Sequence, residues 1–165
     1  MRPAISVVAV LSGAIKKRPA LCFLALTATL LLSACASVPM ASRDAEAAGK
    51  TFAPPPPGSA TLYLYRESIF GAAYTVGLSV GQRSLGALAP DTWFRIDIEP
   101  GTYDVRCMTP EASASKSVQI APGETRFVEA AIRMGFVEPR CAVFEVAPEK
   151  GRSAVTGGKR AQEIH

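Results

Sequence analysis

Past Ser59 the chain runs in short stretches that alternate apolar and polar residues, and Gly or Pro cuts each stretch before a helical period can build. Successive side chains of a strand point to opposite faces, so stretches of this kind form strands with one buried side. Residues 61–66 put Leu62 and Leu64 on one face and Tyr63 and Tyr65 on the other. Residues 74–80 send Tyr74, Val76, Leu78 and Val80 inward, and Gly81-Gln82 turns the chain into a short strand around Leu85 and Leu88. Residues 93–98 place Phe94, Ile96 and Ile98 on the core side, and further strands follow at 103–108, 116–120, 126–133 and 141–146. Two similar turns, Glu99-Pro100-Gly101-Thr102 and Ala121-Pro122-Gly123-Glu124, are each expected to join two strands tightly, since Pro presets the first central torsion and Gly accepts the positive φ of the second. The expectation is an all-β domain over residues 60–147, a small antiparallel β-sandwich of seven or eight strands. Residues 148–165 read as a polar tail that frays or forms one short helical turn.

The N-terminal part has another character. Lys16-Lys17-Arg18 precede an apolar run over residues 20–32, of signal-peptide length and too short to span a bilayer permanently. A second apolar run over residues 4–15 stands ahead of the basic cluster, so either the start lies downstream of Met1 or the n-region is long. Removal of residues 1–34 takes away four basic residues, leaving 14 against 14 acidic ones. The precursor's pI of about 9.0 therefore carries no nucleic-acid footprint.

Leu32-Ser33-Ala34-Cys35 closes that run and resembles the lipobox of bacterial lipoproteins. The resemblance implies lipidation of Cys35, cleavage after Ala34 and a membrane held through fatty chains. Three such chains make attachment essentially permanent, where a single myristoyl chain gives only marginal binding. Ala36, rather than Asp, follows the cysteine, which under the enteric sorting rule points to the outer membrane, with the domain facing the periplasm. Residues 35–59 read as the lipidated Cys and an Ala/Pro-rich linker, whose Pro54-Pro55-Pro56-Pro57 forms a stiff spacer.

Of four cysteines, Cys22 and Cys35 belong to the leader and its end, leaving Cys107 and Cys141. An oxidising compartment favours a disulfide between them, although Cys141 falls opposite the apolar face formed by Ala142, Phe144 and Val146. Tyr63, Tyr65 and Trp93 point away from the expected core. They are either buried by a second layer or form an aromatic surface for a protein or glycan partner.

Three stretches carry a wider resemblance: Thr61-Leu62-Tyr63-Leu64-Tyr65-Arg66, Val80-Gly81-Gln82 with Leu85-Gly86, and Glu99-Pro100-Gly101-Thr102-Tyr103. Together they look like domain-of-unknown-function family 2846, common in bacterial lipoproteins. The resemblance implies a small envelope β-sandwich and supplies no catalytic residues.

Little in the chain points to catalysis. Gly77-Leu78-Ser79-Val80-Gly81 matches the hydrolase elbow, but Ser79 lies inside an alternating strand, and His165 is the single histidine. Ser113-Ala114-Ser115-Lys116 matches S-x-x-K in a Ser-rich stretch without companion motifs. One His and two separated Cys do not make a metal cage, and Asp97, Glu99 and Asp104 read as solvated charge beside Arg95 and Arg106. The sequence thus favours a non-enzymatic envelope lipoprotein without cofactor or metal, acting as a binding or accessory module for an envelope protein or polymer. A serine hydrolase using Ser79 or Ser113 with Lys116 is the alternative.

Overall fold

The computed structural model describes residues 37–110, 112–135 and 139–164, so the expected signal segment and Cys35 lie outside the described residues. In chain order the elements are α1 (Arg43–Lys50), β1 (Ala60–Arg66), β2 (Val76–Val80), β3 (Arg83–Leu88), β4 (Thr92–Ile98), β5 (Gly101–Met108), β6 (Ser113–Ile120), β7 (Thr125–Arg133), β8 (Arg140–Val146), α2 (Pro148–Gly157) and β9 (Lys159–Arg160). The strands form two sheets, one ordered β8-β7-β1-β4-β9 and the other β3-β2-β5-β6. The fold is an all-β sandwich, with nine strands described. Most neighbours are antiparallel, but β1 runs parallel to β7 and β9 parallel to β4.

The expected alternation builds the core. Leu62, Leu64, Val76, Leu78, Phe94 and Ile96 all turn into the space between the sheets and are buried. At about 1.5–3 kcal/mol for each fully buried large apolar side chain, this layer supplies most of the drive to fold. Tyr74 falls outside β2 and stays partly exposed.

Both Pro-Gly turns cross from one sheet to the other. Gly123 takes the expected positive φ of 74°, and the Glu124 N–H donates to Ala121 O at 3.1 Å. Gly101 instead opens β5, and it is not among the glycines with positive φ. A further Pro-Gly turn stands where a spacer was expected. Gly58 has φ 79°, and the Ser59 N–H donates to Pro56 O at 3.0 Å. Ser59 O in turn accepts from Gly123 N–H at 2.8 Å. The proline run is therefore a strap that returns the chain from α1 to β1.

The structure departs from expectation at both ends. The segment expected as a tether carries α1, capped by Ser42, whose hydroxyl accepts from the Ala45 N–H at 3.2 Å. Asp44 and Glu46 in its first turn and Lys50 in its last suit the helix dipole. The expected fraying tail carries α2, with Pro148 in its first turn, and then β9 on the edge of β4. Neither helix shows an apolar stripe, because each meets the sheet through glycine. A Cβ at Gly49 would overlap the Trp93 ring, and one at Gly151 would overlap Phe127.

These helices make a second layer on the outer face of the β8-β7-β1-β4-β9 sheet. Beneath it lie Tyr63, Tyr65, Trp93 and Phe127, joined by Val155 of α2. Tyr63 stacks on Phe127 with ring centroids 5.1 Å apart, and Phe52 tilts against both. Phe52 follows the C-cap of α1 with φ 51°. That left-handed backbone costs a non-glycine residue roughly 1–2 kcal/mol, and the aromatic contacts it gains offset the strain.

Candidate interaction surface

Tyr63, Tyr65 and Trp93 do not form a partner surface. Each is at most 2% exposed, because α1 and α2 cover the face they share. Tyr63 donates its hydroxyl to Gly49 O at 2.7 Å, a carbonyl at the end of α1 that also accepts the Phe52 N–H at 3.3 Å. Arg160 lies over the Trp93 ring and donates to Ala45 O and Arg95 O, tying α1 to β4. Burial raises the Tyr63 and Tyr65 phenols above their ordinary range; Arg95 opposes the shift at Tyr63, and Glu129 adds to it at Tyr65.

Cys107 and Cys141 are bonded, with Cα atoms 6.1 Å apart. The bond links β5 of one sheet to β8 of the other. The expected obstacle disappears because Cys141 and Val143 are the core-facing residues of β8. Val146 packs instead in the outer aromatic layer, and Phe144 stays partly exposed under Arg133.

Among the described residues the serine motifs do not come together with catalytic partners. Ser79 sits inside β2, opposite Ser84 of β3 and Arg106 of β5, with no strand-to-helix elbow. Ser113 and Lys116 lie on β6, where a spacing of three residues puts their side chains on opposite faces. Asp97 pairs with Arg95 at 2.9 Å and accepts from the Thr61 hydroxyl at 2.6 Å. Asp104 belongs to the other sheet. No group of three His, Cys, Asp or Glu placed to hold a metal occurs among the described residues.

One end of the sandwich carries the features that sequence reasoning missed. Strands β1, β5 and β7 finish there, and β2, β4, β6 and β8 begin there. Arg66, the last residue of β1, is 1% exposed. Its guanidinium donates to three carbonyls of the following loop: Tyr74 O at 2.5 Å, Gly71 O at 2.9 Å and Phe70 O at 3.1 Å. Burial pulls this guanidinium below its usual range, with Asp91 opposing. Gly71, at φ 67°, sets the loop against Ile132 of β7. A buried cation thus spends its hydrogen bonds on holding residues 67–75 in one shape, an unusual use of a costly group.

That loop presents apolar side chains to solvent. Ile69 is 74% exposed and Phe70 43%, and Met134 in the β7–β8 connection at the same end is 79% exposed. The β5–β6 connection is pinned too, since the Thr109 N–H and hydroxyl both donate to Ala112 O. The visible signal was Arg66 itself, an arginine closing a strand that is otherwise buried on both faces.

No protein-family model matches the chain. Over 127 residues, 77% of this chain and 76% of the other, it is 30% identical to an uncharacterized protein of Haemophilus influenzae.

Proposed function

The chain belongs to one family with that Haemophilus influenzae protein, and we propose that it is a lipid-anchored envelope module, without catalytic activity, that docks an apolar surface of another envelope protein. The anchor is the lipidated Cys35, and the location is the periplasmic face of the outer membrane. Support for the anchor comes from Leu32-Ser33-Ala34-Cys35 behind its apolar run. Among the described residues no helix is long and apolar enough to cross a membrane. The resemblance to domain-of-unknown-function family 2846 agrees with this reading and rests on the quoted motifs alone.

The observation that carries the docking half is the Arg66-held loop with Ile69 and Phe70 at its surface. Single exposed apolar side chains are ordinary, but Ile69, Phe70 and Met134 gather at one end of the domain, and grouped exposure of this kind marks interaction surfaces. The end that bears them also faces away from the incoming chain. Traced backwards from Ala41, the chain runs antiparallel to the β9 extension, towards the end of β4 marked by Ile98.

The test is site-specific photo-crosslinking in intact cells, with the crosslinker at Ile69 and a control position at Lys116 on β6. A discrete crosslinked species is expected from Ile69, absent from Lys116 and lost on Phe70→Ser or Met134→Ser. A species insensitive to both substitutions, or none at all, sinks the docking reading.

A further inference from the structure

Where the N-terminal segment meets the β9 edge, Met40, Arg43, Glu46, Lys50 and Lys159 line an open groove of about 580 Å³. Its charges are uneven. Glu46 is engaged by Lys50 at 2.8 Å, which holds its carboxyl below the usual range. Arg43 and Lys159 are exposed and take part in none of the ion pairs found among the described residues. The groove therefore keeps a positive excess in a domain whose charges past Cys35 cancel, 14 against 14. Met40, 40% exposed, adds an apolar side chain at its lip.

The length of chain leading to Cys35 limits where this groove can be. Met40 bridges to Ala161, Ala41 N–H donates to Arg160 O at 2.9 Å, and Gln162 N–H donates to Pro39 O at 2.8 Å. Val38 packs on the core. Five Cα steps separate Cys35 from Met40, a span of at most about 18 Å when fully extended. On the lipoprotein reading, on which this inference rests, the bilayer surface lies within that reach. Basic side chains held so near an anionic surface are drawn to it within a Debye length of about 8 Å.

We infer that the groove formed by Arg43 and Lys159 binds the phosphate of an anionic phospholipid headgroup in the bilayer that holds Cys35, so that the domain rests on its β9 edge. Met40 then enters the interface beside the headgroup. The basic contacts are ion pairs and hydrogen bonds to phosphate oxygens, with no covalent step.

Lysine footprinting tests this. Protein purified from whole cells in detergent is reconstituted into vesicles of phosphatidylcholine, whose headgroup has no acylatable amine, with or without phosphatidylglycerol, and labelled with a water-soluble amine-acylating reagent. Peptide masses then give the reactivity of each lysine and the state of Cys35 together. With phosphatidylglycerol present, Lys159 labelling is expected to fall by roughly fivefold or more, given the attraction of each basic residue to an anionic surface, while Lys116 is unchanged. Arg43→Glu should remove most of that protection without altering the thermal melt. Equal Lys159 labelling in both vesicles, on chains with acylated Cys35, overturns the headgroup site and leaves the lipoprotein reading standing. Equal protection by inorganic phosphate in detergent overturns the lipid as occupant. A bare Cys35 overturns the lipoprotein reading and this inference with it.

Discussion

The hydroxyl of Tyr63 reaches out of β1 to the carbonyl of Gly49 in α1, 2.7 Å away and wholly buried. Its neighbour on the same face, Tyr65, is buried as deeply, but its hydroxyl has no hydrogen-bond partner among the described residues. The two tyrosines should therefore respond oppositely to loss of the hydroxyl. Tyr63→Phe removes a buried hydrogen bond, leaving Gly49 O with the Phe52 N–H at 3.3 Å, and should cost about 0.5–1.5 kcal/mol. Tyr65→Phe removes an unsatisfied polar atom and should be neutral or slightly stabilising. Urea unfolding of both variants checks the contrast, and equal losses would remove the basis for it.

Gly49→Ala and Gly151→Ala supply a second test. In an ordinary helix either change would stabilise by up to about 1 kcal/mol. Here the new Cβ would run into Trp93 or Phe127, and forcing apart a packed layer costs about 1–3 kcal/mol. Trp93 is the sole tryptophan, so lifting α1 should shift emission to the red in Gly49→Ala. Gly151→Ala, acting through α2, should move it less.

Arg66 can be tested through the loop it holds. Arg66→Lys keeps the charge but cannot present a planar fork to three carbonyls. Limited proteolysis should then cut within residues 67–75 at least about ten times faster than in the native chain, the change expected when a charged hydrogen-bond network of about 1.5–3 kcal/mol is lost. An unchanged rate would mean that the loop is held by its packing on Ile132 alone.

Stability should depend on pH at the alkaline end through Tyr63 and Tyr65. Their folded phenols titrate above the unfolded value near 10. The unfolded chain therefore loses these protons first, and stability falls as pH rises above about 10. The expected observation is a cooperative rise in tyrosinate absorbance that coincides with unfolding, smaller by one residue in Tyr65→Phe. At the acid end the sign reverses. Glu124, held low by the Ala121 N–H and Arg126, favours the fold above the unfolded carboxylate range, and this contribution fades as pH drops through its lowered folded value.

Much of the sandwich could be read from the alternation of Leu62 and Leu64 with Tyr63 and Tyr65, since period two assigns faces directly. The same alternation could not say what covers the second face. Apolar residues on both sides of β1 demanded a further layer, yet the segments that supply it are polar and short. Their contact with the sheet runs through Gly49 and Gly151, residues that no apolar periodicity registers. Capping chemistry was the readable trace, in Ser42 ahead of Asp44 and Glu46 and in Pro148 opening α2. In β8 both faces are apolar, so its inward side could not be told from pattern, and Cys141 was assigned outward. The apolar loop end was hidden for a related reason. Exposure of Ile69 and Phe70 depends on where Arg66 sends its guanidinium, and that is a property of three-dimensional packing.

The bond between Cys107 and Cys141 closes a stretch with a sequence separation of 34 and stands directly below the apolar end, one residue from Met108 and one from Arg140. Closing a loop of that size is worth about 3–4 kcal/mol in the chain-entropy view. The choice of expression host follows from this. Material made in a reducing cytosol would lack the staple between the sheets just where Ile69, Phe70 and Met134 are displayed, and binding assays should use thiol-oxidised protein recovered from a secretory route.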